Sequence, residues 1–353
     1  MKKSLNPSLA RRSFTRLAAA ATAATAATAA TAAALLAPGL VGTAFAAPPA
    51  SLEKFVVAGW SKPITEVTNL LVDEDKGFFK AKGIALRYVP GAGGGDALRN
   101  LLTGQADIAF TDPGSFFSAL EKGEKLRAIY DIYPQNVFNV VSLKGSNINK
   151  PADLKGKKIG VYSLSSGTRQ NLLVLLHQAG LRESDVTIVV TGLLNFAPLI
   201  QGQVDATAAT DTGLLVGRQK GLADVNVMEV KDTLNVSSDM FVVREETYQQ
   251  KKPLLRQFLA GYRDSAAWMI KQPDEAAALA VKYAIDGKDI AVNREVIGLR
   301  NLASVSSTTR KNGLGAFDLV VLQKAADTYL ALGLVQRPIK VSDVVSQDLL
   351  PAP

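Results

Sequence analysis

The sequence predicts an α/β protein of two lobes with a ligand cleft between them. Short apolar strands alternate with helical patterns from Glu53 to about residue 130, and the alternation restarts at Lys150 and continues to about residue 230. From Glu245 onward, helical periodicity dominates, which predicts a helical tail returning to the first lobe. Open α/β sheets bind ligands at the carboxyl ends of their strands, so two such segments place a site between facing strand-end loops.

The first 46 residues predict an export signal. They contain five basic residues and no acidic one, then a long Ala/Thr segment and an A-x-A cleavage pattern at residues 44–46. Arg11, Arg12 and Phe14 resemble the twin-arginine export motif. An ordinary secretory signal and an uncleaved membrane anchor are the alternatives. The mature chain is expected to start near Ala47 and to be a soluble periplasmic protein.

Composition narrows the classes of function. The 353 residues are 47% hydrophobic, which is enough for one or two packed domains. The net charge of +8 lies mostly in the export segment, and no basic run is interleaved with aromatic residues, so we expect no nucleic-acid partner. The chain has no cysteine and one histidine, His177, so we expect neither a metal site, a cofactor nor a histidine-supported catalytic set.

In the first lobe, the site candidates follow three predicted strands. Trp60 follows the strand at residues 53–59, and a helix is predicted from Thr65 to Lys82. After the strand at residues 84–89, the glycine cluster at residues 91–95 opens a helix, with Asp96 in its first turn. After the next strand, Asp112 to Ser115 opens another helix. Two helix N-termini beside adjacent strand ends form a ligand crevice, although an ordinary βαβ unit has the same pattern.

In the second lobe, the pattern repeats. The strand that ends at Tyr162 leads to a loop of small residues, 163–168, and a helix from Arg169 to Ala179. The strand at residues 204–209 leads to Asp211. Extended segments at residues 135–143 and 238–244 are predicted to cross between the lobes. The expected boundaries are therefore 47–143 and 244–353 for lobe one and 144–243 for lobe two, with tail helices at 246–271, 274–283 and 317–332.

Four short motifs occur in an order that is familiar from one family. They are GFFKAKG at residues 77–83, LTGQAD at 102–107, DLKGKKIGV at 153–161 and GQVDA at 202–206. In these motifs the chain, over roughly residues 55–286, is similar to substrate-binding proteins of ABC importers of the nitrate/sulfonate/taurine and thiamine-pyrimidine-precursor type.

The resemblance implies the type II periplasmic-binding-protein fold, with two α/β lobes joined by two hinge strands. It also implies delivery of a small molecule to an ABC permease that is powered by a separate ATPase, and we expect the chain to act as a monomer. No P-loop pattern is present, in agreement with a separate ATPase. Relatives that synthesise pyrimidines carry a cysteine-rich motif, which this chain lacks, so the resemblance favours a protein that is not an enzyme.

The candidate ligand contacts share a position at strand ends or helix starts. They are Trp60, Gly94, Gly95, Asp96, Asp112, Ser115, Ser165, Ser166, Gly167, Thr168 and Asp211. Trp60 offers a ring for stacking, the glycines offer amides, and the residues from 165 to 168 offer hydroxyls and a helix N-terminus for an oxyanion. Packing, helix capping and solvent exposure are the structural alternatives. Lys62 and Arg169 are the nearby cations.

The ligand expected from these residues is a small organic molecule with an oxyanion or carbonyl at one end and an amine or flat ring at the other. Bare nitrate would face too many carboxylates. Taurine-like sulfonates and aminopyrimidines both fit, and the hydroxyl-rich loop favours the sulfonate. An enzyme on the same fold and a sensor module for a membrane signalling protein remain the alternatives from other classes.

Overall fold

The described residues of this computed structural model, 51–192 and 196–352, form two five-stranded sheets. The predicted export signal lies outside them. In chain order, the strands are β1 (Glu53–Ala58), β2 (Ile84–Val89), β3 (Ile108–Thr111), β4 (Leu126–Tyr133), β5 (Phe138–Leu143), β6 (Lys158–Val161), β7 (Thr187–Val190), β8 (Ala206–Thr210), β9 (Val225–Glu229) and β10 (Asp239–Arg244).

In each five-stranded sheet, four strands run in the same direction and one strand, which adjoins a crossing between the sheets, runs antiparallel to them. The first sheet has the order β2-β1-β3-β10-β4, and β10 runs antiparallel to both β3 and β4. The second has the order β7-β6-β8-β5-β9, and β5 runs antiparallel to both β8 and β9. The carboxyl ends of β1, β2, β3, β6 and β8 therefore supply the loops of a cleft.

The chain passes between the sheets at residues 134–137 and 230–238, which corrects the predicted lobe boundaries. The predicted boundaries after residues 143 and 243 assign β5 to the first lobe and β10 to the second, whereas β5 lies in the second sheet and β10 in the first. Both strands are almost fully buried, and their apolar runs do not reveal which sheet they join. We call the parts that carry the first and second sheets the first and second lobes.

Helices cover the sheets and form most of the C-terminal third of the chain. They are α1 (Thr68–Leu71), α2 (Asp73–Lys76), α3 (Gly94–Leu102), α4 (Pro113–Glu121), α5 (Gly167–Gln178), α6 (Ala197–Ile200), α7 (Asp211–Gln219), α8 (Glu245–Gln250), α9 (Lys252–Lys271), α10 (Pro273–Tyr283), α11 (Ile290–Ala303), α12 (Ser307–Asn312), α13 (Leu319–Ala331) and α14 (Val341–Val344). Within the described ranges, no helix is both long and apolar enough to cross a membrane.

An aromatic cluster fixes α9 on the first sheet. The ring of Phe258 lies 4.5 Å from that of Phe55, 5.6 Å from that of Phe79 and 5.2 Å from that of Phe241, measured between centroids. All four side chains are fully buried. Burying an aromatic side chain contributes roughly 1.5–3 kcal/mol, so this cluster holds the helical tail on the first lobe.

The predicted helix from Thr65 to Lys82 is wrong in extent, because the segment folds as short helical pieces. The carboxylate of Asp73 accepts hydrogen bonds from the backbone amides of Phe79 and Lys80, at 2.7 and 3.3 Å, and so stabilises a turn in the middle of the segment. Asp and Asn side chains compete with the helix in this way.

Candidate functional site

A central cavity of about 70 Å³ lies between the two lobes. Both lobes line it. The first lobe contributes Trp60, Ile64, Glu66, Gly93, Gly94, Asp112, Asp239 and Arg300. The crossing and the second lobe contribute Val137, Phe138, Tyr162, Ser166, Gly167, Thr168, Ala209, Thr210 and Gly213. Because strand ends and helix starts from both sheets meet here, the cavity is the candidate ligand site.

The structure brings six of the predicted contacts to the central cavity: Trp60, Gly94, Asp112, Ser166, Gly167 and Thr168. The other five do not line it. Gly95, Ser115 and Ser165 line a separate surface groove on the outer side of the same loops. Asp96 bonds to the amide of Ala92 and pairs with Arg99, whereas Asp211 pairs with Arg300.

The two predicted cations do not line the cavity either. Lys62 is exposed. Arg169 turns away to Glu183, whose carboxylate accepts bonds from its Nε at 2.8 Å and its Nη2 at 2.5 Å. The half-buried His177 lies on α5, where its Nδ1 hydrogen-bonds to the carbonyl oxygen of Leu332, and it is not among the cavity residues.

The lobes touch through two loops, which we call the glycine loop (residues 91–95) and the serine loop (residues 163–168). The amide of Gly95 donates to the carbonyl oxygen of Ser165 at 2.9 Å. The hydroxyls of Ser163 and Ser165 donate to the carbonyl of Ala92, the latter at 3.3 Å. These contacts close one side of the cleft.

Gly93 makes this approach feasible. Its φ is 122°, a region that side-chain-bearing residues avoid, and a Cβ there would lie 2.6 Å from the carbonyl oxygen of Ser165. The glycine cluster therefore serves the contact between the lobes as well as the start of α3.

Aromatic rings form the walls of the cavity. The ring of Trp60 meets that of Tyr162 edge to face, with centroids 6.2 Å apart, so one ring from each lobe meets across the site. Phe138, the first residue of β5, also lines the cavity. The Nε1 of Trp60 is buried and has no hydrogen-bond partner among the described residues. A buried indole N–H usually finds a partner, so this one is available to a ligand.

Three buried carboxyls line the cavity, those of Glu66, Asp112 and Asp239. Asp112 caps α4, accepting from the amide of Ser115 at 2.9 Å and from its hydroxyl at 2.7 Å. Burial raises the pKa of Asp112, and the bonds from Ser115 oppose that effect. Burial raises the pKa of Asp239 well above its usual value, and the neighbouring acids add to the shift.

These carboxyls do not form a metal site. Among the described residues, no group of three or more Asp, Glu or His side chains is arranged to hold a metal ion.

Arg300 on α11 is the single cationic side chain that lines the cavity among the described residues. It is 1% exposed, pairs with Asp211 of the second lobe and stacks over the ring of Tyr133 at 5.2 Å. Its Nε lies 3.6 Å from Glu66 Oε2, and neither atom has a hydrogen-bond partner among the described residues. The hydroxyl of Thr212 donates to the other oxygen of Glu66 at 2.7 Å, so Arg300 and Glu66 both bridge the lobes.

The hydroxyls of the serine loop are already hydrogen-bonded. Ser166 Oγ lies 2.7 Å from the carbonyl oxygen of Ser163 and 2.7 Å from Thr168 Oγ1. Thr168 Oγ1 also accepts from the amide of Tyr162 at 3.1 Å. The first backbone amides of a helix have no partner within the helix, and α5 begins at Gly167. Because the hydroxyls are occupied, these amides are the donors that the loop offers to the cavity.

A larger side chamber of about 350 Å³ adjoins the central cavity and shares Ile64, Glu66 and Gly213 with it. Its walls are largely apolar, from Phe196, Ala197, Ile200, Val216 and Val296, with Lys220 and Asp286 among its polar members.

Sequence reasoning missed Glu66, Asp239 and Arg300. Glu66 falls inside a segment predicted as one continuous helix, and Asp239 is the first residue of a strand that the sequence places only as a crossing. Arg300 lies on α11, for which no helix is predicted. The sequence does not indicate that Arg300 is buried, because arginine usually lies on the exposed face of a helix and is rarely buried without a charged partner.

Comparisons with known proteins agree with this architecture. A family model described as NMT1/THI5 like matches residues 64–276. The riboflavin-binding protein RibY of Chloroflexus aurantiacus is 23% identical over 322 residues, covering 89% of this chain and 91% of that protein. The 4-amino-5-hydroxymethyl-2-methylpyrimidine phosphate synthase of Schizosaccharomyces pombe is 21% identical over 217 residues, covering 58% and 62%.

Among solved structures, the alkanesulfonate-binding protein SsuA of Xanthomonas axonopodis pv. citri, bound to MOPS, aligns with a TM-score of 0.67. It is 20% identical, and the alignment covers 86% of this chain and all of that one. This likeness shows a common fold. The predicted periplasmic-binding-protein fold is therefore confirmed.

Proposed function

Since the chain belongs to the NMT1/THI5-like family, we propose that it is a solute-binding protein, not an enzyme, that encloses a small flat nitrogen heterocycle carrying an amino group. The lobes rotate about the crossings at residues 134–137 and 230–238 and close on the ligand. The closed protein then delivers the ligand to the permease of an ABC importer.

The composition of the cavity lining determines the choice of ligand. The described residues of the lining combine aromatic rings, a donor without a partner, three carboxyls and one cationic side chain. Trp60, Phe138 and Tyr162 suit the faces of a flat ring, and the free indole N–H suits a ring nitrogen or carbonyl. Glu66, Asp112 and Asp239 suit amino hydrogens. The named ligand of RibY and the named product of the yeast synthase both contain a flat nitrogen heterocycle, which supports the same class.

The size of the cavity favours a single ring. A cavity of about 150 Å³ holds one benzene ring, so a six-membered ring with small substituents needs the central cavity of about 70 Å³ together with part of the side chamber, or a slightly more open cleft. Three fused rings, as in riboflavin, need correspondingly more space. Of these two heterocycles, an aminopyrimidine requires the smaller opening.

A taurine-like sulfonate, the ligand that the sequence favours, is the second candidate. The N-terminus of α5 at Gly167 lines the cavity and favours a negatively charged group. Against it, Arg300 is already paired with Asp211, and a desolvated sulfonate near three carboxyls is costly. The structural neighbour that binds a sulfonate is only 20% identical, so it shows a common fold and not a common ligand. The choice of ligand therefore depends on the residues that line the cavity of this chain.

An enzymatic role is the alternative from another class, because one relative is named as a synthase. Catalysis needs an acid, a base or a nucleophile placed at the reacting atoms. The cavity-lining residues include no histidine or lysine and the chain has no cysteine, so the carboxyls of Glu66, Asp112 and Asp239 are the acid–base candidates. Two of these carboxyls already accept hydrogen bonds, from Thr212 and Ser115. We therefore place binding first, and turnover of an aminopyrimidine by the purified protein would reverse that order.

The proposed location is the periplasm, reached through the signal at residues 1–46. Replacing Arg11 and Arg12 by lysine should leave the precursor in the cytoplasm if the twin-arginine route is used. Normal export of that variant would point to the general secretory route. The proposed partners are a permease with its separate ATPase, and the protein is proposed to act as a monomer.

A thermal-shift panel tests the proposal. The purified protein is melted with 4-amino-5-hydroxymethyl-2-methylpyrimidine, riboflavin, taurine or nitrate. A ligand present at 100 times its dissociation constant stabilises the folded state by about 2.7 kcal/mol, which raises the melting temperature by several degrees. We expect that rise with the aminopyrimidine. A rise with taurine alone would favour the sulfonate, and no rise with any of them would contradict this ligand class.

A further inference from the structure

Asp239 differs from the other carboxyls of the central cavity. It lies at the start of β10, lines the cavity and is 7% exposed. Asp112 accepts hydrogen bonds from Ser115, and Glu66 accepts one from Thr212. The carboxyl of Asp239, in contrast, has no hydrogen-bond partner among the described residues. Its oxygens therefore remain free to form hydrogen bonds with a ligand in the cavity.

The charged and titratable groups around Asp239 come from every element packed against it. They are Asp112 after β3, Glu66 before α1, Asp131 and Tyr133 on β4, Tyr262 on α9, and Arg300 on α11. The one cation, Arg300, is paired with Asp211 and lies near Glu66. An ionised Asp239 would therefore be buried beside three acids without a cation of its own, which favours its neutral form.

A neutral carboxyl has a distinctive pattern of hydrogen bonding. It presents one O–H donor and one carbonyl acceptor side by side. The edge of an aminopyrimidine presents the complementary pair, a ring nitrogen that accepts and an adjacent N–H that donates. The two groups can form two parallel hydrogen bonds in one plane. A sulfonate offers only acceptors and can use only half of this pattern.

We propose that Asp239 binds the ligand as a neutral carboxylic acid, donating its O–H to a ring nitrogen and accepting a hydrogen bond from the neighbouring amino group. This inference rests on the proposed function, since it assumes an amino-substituted heterocycle. It adds the residue that recognises the amino edge and the protonation state in which it does so. The proton remains within the pair, so no further reactant is needed.

Two substitutions at Asp239 separate this proposal from a carboxylate that attracts a cation. Asp239→Leu removes both the donor and the acceptor, and we expect its affinity for 4-amino-5-hydroxymethyl-2-methylpyrimidine to fall at least about 30-fold. An asparagine side chain presents an N–H donor and a carbonyl acceptor, so Asp239→Asn should recover most of that loss, to within about fivefold of the native protein. Asp73→Asn is the matched control, because Asp73 is a buried acid that neither lines the cavity nor belongs to the charged groups around Asp239.

Calorimetry of the native protein over pH 6.5–8 gives a readout that does not depend on the folding of the variants. If free Asp239 already carries the proton, affinity for the neutral heterocycle stays flat across this range. If free Asp239 is ionised, the complex must take up a proton, and affinity falls about tenfold per pH unit above the pKa of the ligand.

These experiments distinguish failure of this inference from failure of the proposed function. Three results would overturn the proposal while ligand binding stands. They are equal losses of affinity in Asp239→Asn and Asp239→Leu, native affinity in both variants, and a steep fall in the affinity of the native protein as the pH rises. Absence of any heat with the native protein would overturn the proposed ligand class and this inference together. Recovery in Asp239→Asn with a flat pH profile supports the neutral carboxyl.

Discussion

The backbone amide of Gly95 donates a 2.9 Å hydrogen bond to the carbonyl oxygen of Ser165. This bond joins the glycine loop of the first lobe to the serine loop of the second. Neither residue lines the central cavity, although both were predicted as ligand contacts. Their contact joins the two lobes at the cleft. Under the proposed function, it is a contact of the lobes closed on a ligand.

Substitution of Gly93 by alanine should weaken ligand binding, because Gly93 lines the cavity and also lies against the serine loop. A Cβ at this position would lie 2.6 Å from the carbonyl oxygen of Ser165, and the φ of 122° disfavours a side chain. We expect affinity to fall at least about tenfold by calorimetry. Gly104→Ala is the control, since Gly104 has a φ of 76° but nothing within 4 Å of its added Cβ. An equal loss of affinity in both variants would show that backbone strain, not closure, is responsible.

The ring of Trp60 should report ligand binding directly. We expect Trp60→Leu to weaken binding by about 1–2 kcal/mol, since it loses ring contact and the free indole N–H. Trp268, the second tryptophan, packs on Phe78 and donates to Glu275, so Trp268→Phe should leave affinity unchanged. Ligand should quench the fluorescence of Trp268→Phe, which retains Trp60, and not that of Trp60→Leu. Quenching in Trp60→Leu would place the ligand elsewhere.

The pair between Arg300 and Asp211 should stabilise the closed arrangement. Asp211→Asn removes the charged partner of a buried arginine, and we expect the free energy of unfolding to fall by about 1–3 kcal/mol, with weaker ligand binding. Asp274 pairs with Arg294, and its side chain is 88% exposed. The matched variant Asp274→Asn should cost less than about 1 kcal/mol. Similar losses of stability in the two variants would contradict a bridging role for Arg300.

Asp131 should make folding stability depend on pH. Burial raises its pKa from 3.8 to about 8, so the folded protein holds a proton that the unfolded chain releases above about pH 4. Its contribution to stability is therefore present below pH 4 and is lost progressively as the pH rises to about 8. Asp131→Asn should gain stability relative to the native protein between these values, measured by urea unfolding at pH 4.5, 6 and 7.5. A difference that does not change with pH would contradict the raised pKa.

The sequence predicted the parts of the site that local chemistry determines. Asp112 is followed by proline and lies three residues before the amide it caps, a pattern that specifies a helix start at the end of a buried strand. Gly167 and Thr168 begin α5 after β6 for the same kind of reason. The alternation of strands and helices was sufficient to predict two lobes and a cleft.

The remainder depends on long-range contacts that no local pattern reveals. Glu66 and Arg300 are more than 200 residues apart and meet only once α11 packs beside the cleft. Asp239 reaches the cavity because β10 crosses into the first sheet between β3 and β4. The hydroxyls of the serine loop suggested an anion site, but their mutual hydrogen bonds are visible only in the folded loop. The balance of acids and cations, on which the ligand depends, therefore required the structure.

A calorimetric titration of the purified protein with 4-amino-5-hydroxymethyl-2-methylpyrimidine, and with taurine and nitrate in parallel, tests the central claim most directly. The proposed function predicts saturable heat with the aminopyrimidine at one site per chain, with a dissociation constant of about 1 μM or lower, that is, a binding free energy of about −8 kcal/mol or more favourable. It predicts no saturable heat with taurine or nitrate. Tight binding of taurine or nitrate together with no heat from the aminopyrimidine would contradict it.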